Sequence, residues 1–423
     1  MGFASGYLEK RALFPTLIKE APLPDTGIIV VVPSFNETGI TLMLDSLAAC
    51  SDPGISTEVI IIVNAPLGVS SEILENNRKT ISETENWKTK NTQCFFRVFV
   101  IDVSGCATKD WGVGSARKTG MDEAVRRFEQ INRPDGVIMN LDADCTVAGN
   151  YFEAINDEFC NRKDRKACSV YFEHPLESRE MPDEGFEPIL LYEIHLRYYY
   201  QGLRYAGFPN AFHTVGSAMG VKALQYVESG GMNRRKAGED FYFIQKLFPQ
   251  GGYFSLNETT VYPSSRISSR VPFGTGTIVG KLSGEPGCEL NTYSVDSFQE
   301  LKHFFGMTER LFLTPRGKLR SLYQELPDSL RFVLSEHEWE ERVSEIKDNT
   351  SGYDSFRKRF FGWFNMFRIV RYMNSVHSGF FARQPVISSS LKLLEMLGFY
   401  PSFFRPEEIL TFYRALEKSG KFE

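Results

Sequence analysis

Residues 137–147 read VIMNLDADCTV, and this stretch decides the fold. A mostly apolar run leads directly into Asp142 and Asp144, which are separated by one residue. An apolar run without polar alternation is typical of a strand that is buried on both faces, as in a parallel sheet. A buried strand that ends in carboxylates delivers them to the edge of its sheet. The sequence therefore predicts a polar site at that edge.

Strand-like and helix-like segments alternate before this stretch. Apolar strand candidates occupy 27–33, 58–64 and 94–103, and helical patterns occupy 38–50, 70–81 and 115–131. Such alternation predicts crossover units and a mainly parallel central sheet flanked by helices. Ligands of these sheets bind beyond the carboxyl ends of the strands. Polar residues follow the strands and predict one shared crevice at this edge. They are Ser34, Asn36, Glu37, Asn64 and Asp102.

The pattern changes further along the chain. After residue 149 the order of elements resembles an α+β arrangement, with a long aromatic helix candidate at 188–207. From about residue 290 strand signals stop and helical periodicity broken by prolines continues to the end. We therefore predict an N-terminal extension over 1–26, an α/β domain over 27–285 and an all-helical domain over 286–423.

Composition narrows the class of protein. The chain has 423 residues and a net charge of -5, so it lacks the overall basic field that holds nucleic acid. The seven cysteines are scattered and form no C-x-x-C pair, which predicts reduced thiols rather than zinc or redox sites. The N-terminus lacks the apolar core of a secretory signal, and no run of about 18 apolar residues occurs. These features predict a cytoplasmic protein.

Two motifs predict a site for a metal and a phosphate. Asp142 and Asp144 offer the hard oxygen ligands that Mg²⁺ and Mn²⁺ prefer, and the alternative is that they cap the next turn or helix. Gly112 and Gly114 precede a helix that carries Arg117 and Lys118 in its first turns. A glycine-bordered helix start with two cations predicts anion binding.

Two later motifs add a base and further cations. Glu239 and Asp240 follow a glycine at a predicted helix start, where Asp240 is a candidate base; the alternative is compensation of the helix dipole. Arg266 and Arg270 lie in a Ser-, Gly- and Arg-rich loop that is suited to neutralising a departing diphosphate, unless it is an ordinary solvated loop. Two histidines are candidates for a third metal ligand, namely His195 and His213. The alternative for each is a structural role.

Taken in order, these pieces resemble the family 2 glycosyltransferases of the GT-A fold. The resemblance is carried by VVVPSFNET, GVGSARKTG, LDADC, GSAMGV and GED, and it covers about residues 27–280. It implies a Rossmann-like GT-A domain over 27–285. It also implies a nucleotide-diphosphate sugar as donor, a hydroxyl acceptor, and Mn²⁺ or Mg²⁺ as cofactor.

The resemblance also implies a role for each residue that matches a motif. Asp144 binds the metal that bridges the diphosphate, and Asp142 lies against the ribose or the metal. Asp240, beside Glu239, deprotonates the acceptor in an inverting transfer. The nucleotide is held by Pro33, Phe35, Glu37, Asn64, Arg117, Lys118, Arg266 and Arg270. The chain departs from the family pattern at two points. Asn64 stands where acids usually follow the second strand. No histidine that could bind the metal follows closely after the predicted helix of Glu239 and Asp240.

Other interpretations remain open. The D-x-D-x-T pattern also occurs in haloacid-dehalogenase-type phosphatases, but there it follows the first strand, whereas three strand candidates precede it here. Nucleotidyltransferases share the architecture but need a glycine-rich basic loop after the first strand. A module that binds nucleotide sugar without transfer and a retaining transferase are further alternatives. Residues 356–374 interleave basic and aromatic residues, which predicts either a packed amphipathic helix or weak peripheral contact with an anionic membrane.

Overall fold

The computed structural model describes residues 2–106, 111–176, 183–266, 289–402 and 404–420. The chain divides into two compact units. The first comprises residues 1–182, 214–277 and 417–423, and the second comprises 183–213 and 278–416. Helix α6 (Asp183–Tyr205) belongs to the second unit although it falls inside the predicted α/β domain. The reason is its aromatic face, where Tyr198 packs edge-on against Phe298 with ring centroids 5.6 Å apart.

A central sheet organises the first unit. The described residues of this sheet form eight strands: β1 (Ile28–Ser34), β2 (Thr57–Val63), β3 (Phe96–Asp102), β4 (Val137–Asn140), β5 (Thr146–Val147), β6 (Ala167–Phe172), β7 (Met219–Lys222) and β8 (Tyr253–Tyr262). Their order is β3-β2-β1-β4-β7-β6-β8-β5. The first four in that order are mutually parallel, and β7 runs antiparallel to both β4 and β6. Strands β6 and β8 are parallel, and β5 pairs antiparallel with β8.

Helices cover this sheet. They are α1 (Ser5–Arg11), α2 (Ile40–Ala48), α3 (Ser71–Lys90), α4 (Val113–Gln130), α5 (Tyr151–Asn161), α7 (Ala223–Glu228) and α8 (Glu239–Leu247). Strands β1 and β2 are buried along their whole length, as expected of strands covered on both faces. Together with the helical second unit, this architecture confirms the predicted class, a GT-A, Rossmann-like α/β fold with a helical C-terminal region.

The N-terminal extension packs on α4 and buries polar residues of that helix. The carboxylate of Glu129 accepts a hydrogen bond from the backbone N–H of Ala4 at 2.8 Å, and Glu123 accepts one from Ile18 at 2.9 Å. On the same helix, Arg127 is buried against Glu58 of β2. Because the extension and the sheet satisfy these charged groups, α4 is buried around most of its circumference despite its polar composition.

The second unit is built from helices. They are α6, α9 (Val295–Gly306), α10 (Thr308–Leu313), α11 (Leu319–Gln324), α12 (Asp328–Val333), α13 (Glu336–Asp348), α14 (Tyr353–Trp363), α15 (Met366–Gly379), α16 (Val386–Met396) and α17 (Pro406–Lys418), of which the last residues pass into the first unit. The described part also contains a two-residue antiparallel ribbon, β9 (Asn291–Thr292) with β10 (Gln384–Pro385). No helix in the described ranges is both long and apolar enough to cross a membrane.

The basic and aromatic stretch 356–374 forms α14 and α15, separated by a break. Phe356, Phe360 and Phe361 are buried, whereas Arg357 and Lys358 are exposed. A new helix starts because the side chain of Asn365 accepts hydrogen bonds at the N-terminus of α15. Most of the aromatics therefore pack inward, although Phe367 is 38% exposed, and Arg357 and Lys358 face solvent, as in an ordinary amphipathic helix.

Gly120 sets the distance between α4 and the sheet. A β-carbon at Gly120 would lie 2.4 Å from Cγ1 of Val31 and 3.0 Å from Cγ1 of Ile62. We expect Gly120→Ala to lower the free energy of unfolding by roughly 1–3 kcal/mol, because the added methyl group overpacks a closed interface. Urea titration measures this change.

The matched control is Gly362→Ala in α14. Gly362 is exposed, and no described atom lies within 4 Å of a β-carbon placed there. Since alanine favours a helix, this variant should be unchanged or more stable by up to about 1 kcal/mol. Equal effects of the two substitutions would contradict the close approach at Gly120.

Candidate active site at the carboxyl edge of the sheet

The two aspartates of the D-x-D pair lie on a turn between β4 and β5. The backbone N–H of Leu141 donates to the carbonyl of Val31 at 3.1 Å, and that of Cys145 donates to the carbonyl of Asp142 at 3.0 Å. The first bond joins the start of the turn to Val31 of β1, and the second closes the turn itself. The side chains of Asp142 and Asp144 are 37% and 26% exposed, so both carboxylates are accessible at the predicted edge.

Arg117 of α4 joins two of the predicted motifs. One amino group of its guanidinium donates to Oδ1 of Asp142 at 2.6 Å, and the other donates to the carboxylate of Glu239. The side chain of Arg117 is only 5% exposed. Burial alone lowers the pKa of Arg117, but the charges of Asp142, Glu239 and Asp240 together raise it above its usual range. Arg117 is therefore a permanently charged, buried link between the D-x-D turn and α8.

Glycines make room for this link. A β-carbon at Gly216 would lie 2.5 Å from Nη1 of Arg117, so the guanidinium rests on bare backbone there. A β-carbon at Gly114 would lie 2.3 Å from the carbonyl oxygen of Arg235, and one at Gly112 would lie 2.9 Å from Cα of Lys236. The glycines before α4 thus serve the close approach of a neighbouring loop, and this packing explains them without a bound anion.

Glu239 and Asp240 begin α8, after Gly238 in the left-handed region at φ 70°. Glu239 is buried against Arg117; burial raises its pKa, and the charge of Arg117 opposes the rise. Asp240 is partly exposed. Burial also raises the pKa of Asp240, again opposed by Arg117 and increased by Asp142. Asp240 is therefore the more accessible acid of the pair, with a proton affinity above that of an ordinary aspartate.

Arg266 follows β8 and bridges the first strand loop to the D-x-D turn. Its guanidinium donates to the carboxylate of Glu37 and, at 3.1 Å, to Oδ2 of Asp144. Glu37 is buried, and it also accepts hydrogen bonds from the backbone N–H groups of Thr38 and Gly39 at the start of α2. The other arginine predicted in this loop, Arg270, lies outside the described residues.

The structure brings most of the predicted nucleotide-binding residues to the same edge. Pro33 is the last residue but one of β1 and pairs with Ile62 of β2, and Phe35 follows the strand. Asn64 follows β2, is buried, and donates to the carbonyl of Ser34 at 2.8 Å. Lys118 is not brought to this group. Its ammonium is buried against Asp122 and against the hydroxyl of Tyr7, each at 2.9 Å.

The two histidines considered as ligands belong to the second unit. His213 stacks on Tyr200 with ring centroids 4.4 Å apart. Nδ1 of His195 lies 2.8 Å from Oγ1 of Thr292, and burial together with the charge of Arg383 lowers the pKa of His195 to about 4. The lowered pKa keeps His195 neutral at physiological pH, and the contacts of both histidines are those of structural residues.

The site carries an excess of negative charge. Among the described residues of the cluster, two guanidinium groups, of Arg117 and Arg266, face five carboxylates. The carboxylates belong to Glu37, Asp142, Asp144, Glu239 and Asp240. A diphosphate is repelled by such a cluster unless a further cation accompanies it.

The carboxylate oxygens of this cluster suit a divalent cation that phosphate and water also coordinate. No group of three or more His, Cys, Asp or Glu side chains in the described ranges is arranged to hold a metal ion. Mg²⁺, however, commonly binds through one or two carboxylates together with substrate phosphates and water. Asp142 and Asp144 are hard, accessible oxygen donors, so they fit Mg²⁺ or Mn²⁺ as a shared site that a diphosphate completes.

Sequence reasoning missed three residues of α3 that contact the loop after β1, namely Asn76, Asn77 and Thr80. They lie in the segment SEILENNRKTISETENWKTK, whose charged and polar composition is that of a solvated helix. Only the unusual Asn-Asn pair distinguishes it, and such a pair has no defined structural meaning in a helix.

Comparison with known proteins finds no matching family model and no matching curated protein. Among solved structures, TarS of S. aureus in complex with UDP-GlcNAc is 14% identical over 84% of this chain and 93% of that chain, with a TM-score of 0.39. The mannosyltransferase PcManGT of Pyrobaculum calidifontis in complex with GDP-Man and Mn²⁺ is 12% identical over 99% and 93%, with a TM-score of 0.36. At such values the similarity assigns no activity to this chain.

Proposed function

We propose that this protein is a glycosyltransferase that moves a sugar from a nucleotide-diphosphate sugar to an acceptor hydroxyl. The observation that supports this function is the convergence of Asp240, the Arg117–Asp142 ion pair and the Arg266–Asp144 ion pair at the carboxyl edge of the sheet. The cluster combines an acid of raised proton affinity with accessible carboxylates and fixed guanidinium groups. Those are the groups that activate a hydroxyl nucleophile and stabilise a departing diphosphate.

Asp240 acts as the base in an inverting transfer. Its carboxylate takes the proton of the acceptor hydroxyl while the acceptor oxygen forms a bond to the anomeric carbon. The bond from that carbon to the diphosphate oxygen breaks, and the nucleoside diphosphate leaves with the electron pair. Glu239 does not compete for this role because its carboxylate is buried and engaged by Arg117.

Asp142 and Asp144 would hold Mg²⁺ or Mn²⁺ together with the diphosphate. When bound, the cation supplies positive charge that neutralises the diphosphate as negative charge develops on it. Arg266 contributes a further positive charge at the same edge, since it already faces Asp144 and Glu37. Arg117 contributes indirectly, because it fixes the orientation of Asp142 while remaining buried itself.

The loop after β1 and the end of β2 hold the nucleoside. Pro33, Phe35, Glu37 and Asn64 lie at adjacent strand ends, where ligands of α/β sheets bind. The phosphatase alternative receives no support from the position of the motif, because Asp142 follows β4, the fourth strand along the chain, rather than the first strand.

Donor binding tests this function. We expect UDP-, GDP- or CDP-linked sugars to raise the unfolding temperature of the protein in the presence of Mn²⁺, and only one nucleotide class to do so strongly. A ligand at 100 times its Kd stabilises the native state by about 2.7 kcal/mol. Asp144→Asn should abolish the part of the shift that requires the metal.

The control variant is Asp135→Asn, an aspartate before β4 whose side chain is 66% exposed. It should respond to donor and metal as the wild type does. No shift with any donor would contradict the proposal. Donor-dependent stabilisation without nucleotide release from any donor would favour a module that binds nucleotide sugars without transferring them.

A further inference from the structure

Helix α3 holds the loop after β1 by three side chains. Nδ2 of Asn76 donates to Oδ1 of Asn36 at 2.8 Å, and Oδ1 of Asn77 accepts from the backbone N–H of Asn36 at 2.9 Å. One turn further along, Oγ1 of Thr80 donates to the carbonyl of Glu37 at 2.7 Å. The helix thus binds three groups of this loop: the side chain of Asn36, the backbone N–H of Asn36 and the backbone carbonyl of Glu37.

The loop needs such support because Asn36 adopts a left-handed conformation at φ 52°. Non-glycine residues visit this region rarely, and asparagine is among the few that tolerate it. Strained backbone of this kind persists only where the surroundings hold it in place. Asn76 and Asn77 provide that support.

Asn77 also joins the neighbouring strands. Its Nδ2 donates to the carbonyl of Asn64 at 2.9 Å and to Oγ of Ser104 at 3.3 Å. Asn64 follows β2, and Ser104 lies just after β3. One buried amide therefore connects the residues that follow β1, β2 and β3, the three adjacent parallel strands at one side of the sheet.

We propose that Asn76 and Asn77 are positioning residues for the nucleoside part of the donor. This inference rests on the proposed function. The two amides hold Phe35, Asn36 and Glu37 against Asn64 before the donor arrives, so binding does not have to order the loop. Because Asp240 and Asp142 are held by contacts outside this loop, the two asparagines set the affinity for the donor and leave the chemical step unchanged.

The test compares nucleotide affinity with turnover. For Asn77→Ala we expect the Kd of UDP, GDP or CDP, whichever binds the wild type, to rise at least tenfold in calorimetry with Mn²⁺. A lost buried hydrogen bond accounts for a factor of that order. The KM for the donor should rise in parallel, while kcat for nucleotide release at saturating donor stays within about threefold. Asn86→Ala, at an exposed asparagine of the same helix, should behave as the wild type.

A second pair of variants separates positioning from loss of stability. Asn132 is the other described non-glycine residue with φ 52°, and it is exposed just after α4. Asn36→Ala and Asn132→Ala place the same strain in the backbone, but Asn36→Ala also removes the oxygen that accepts the hydrogen bond of Asn76. Asn36→Ala should therefore lower the unfolding temperature at least as much as Asn132→Ala does. Only Asn36→Ala should weaken nucleotide binding, and this pair decides the matter if Asn77→Ala does not fold.

Three results would overturn the proposal. If Asn77→Ala and Asn36→Ala both bind the nucleotide with the Kd of the wild type, the loop needs no such support. That result would leave the proposed glycosyl transfer uncontradicted. A fall in kcat at unchanged Kd would place the two asparagines in the chemical step instead. Failure of the wild type to bind any of the three nucleotides would refute the proposed function itself, and this inference with it.

Discussion

Asp240→Asn is expected to lower the rate of sugar transfer by about 10²–10⁴-fold, the usual contribution of a positioned general base. Asparagine has nearly the size and shape of aspartate, but its amide cannot accept the proton of the acceptor hydroxyl. The partly exposed side chain is not needed to hold α8, because Glu239 forms the buried contact with Arg117. The loss should therefore appear in kcat, with the donor Kd changed by less than about threefold.

The pH dependence of the rate provides an independent check. A base must be ionised to act, so activity falls as the pH falls through the pKa of Asp240. Burial, opposed by Arg117 and increased by Asp142, raises that pKa. The acid limb should therefore lie above the value near 3.9 that is ordinary for aspartate. Asp240→Asn should remove this limb from the residual activity, whereas Asp135→Asn should retain both the rate and the limb.

The assignment of the base would be refuted by wild-type turnover in Asp240→Asn. Retention of the anomeric configuration in the product would also exclude the proposed inverting step, because direct displacement with a single base inverts it. Loss of donor binding together with turnover would instead place Asp240 in the binding of the metal or nucleotide.

Arg117→Met is expected to cause the largest loss of stability, roughly 3–5 kcal/mol in the free energy of unfolding measured by urea titration. Methionine replaces much of the aliphatic volume but leaves the carboxylate of Glu239, which is 2% exposed, without its cation. An uncompensated buried charge costs far more than the ion pair contributes. The variant should also lose transfer activity, since Asp142 loses the donor that orients it.

The double variant Arg117→Met with Glu239→Gln distinguishes the charge from the packing. Removing the isolated carboxylate should recover at least half of the lost stability, whereas activity should stay low. Arg78→Met is the exposed control, because both side chains of the Arg78–Glu75 pair are about 70% exposed; it should cost no more than about 1 kcal/mol. A loss below 1 kcal/mol in Arg117→Met, or no recovery in the double variant, would contradict the role of this link.

Much of the fold was predictable because it depends on periodicity. The mostly apolar, wholly buried β1 and β2 have few alternatives to a doubly covered parallel sheet, and both lie where the sequence places them. Predictions were weaker where one sequence pattern is compatible with more than one local structure. Only the second half of the motif GSAMGV lies in a strand, β7 (Met219–Lys222), and its first residue, Gly216, lies against the guanidinium of Arg117. Helix α6 lies in the second unit because its aromatics find partners there.

The candidate site was predictable to the extent that strand ends define it. Asp142, Asp144, Asn64 and Glu37 follow predicted strands, and parallel strands must end at one edge. Residues on helices were harder to place, because the direction of a helical side chain depends on the rotation of its helix. Arg117 and Lys118 are adjacent in sequence, yet one reaches the D-x-D turn and the other is buried against Asp122.

The sequence by itself determined the class of fold and the edge at which chemistry-bearing side chains gather. Local periodicity and the polarity of strand ends are enough for both, because parallel strands bring their carboxyl ends together wherever the helices lie. Only the tertiary structure decided which charges meet. Arg117 was found between Asp142 and Glu239, and Asn77 among three strand ends. Such contacts join residues 13 to 122 positions apart, and their geometry follows from how each helix packs on the sheet.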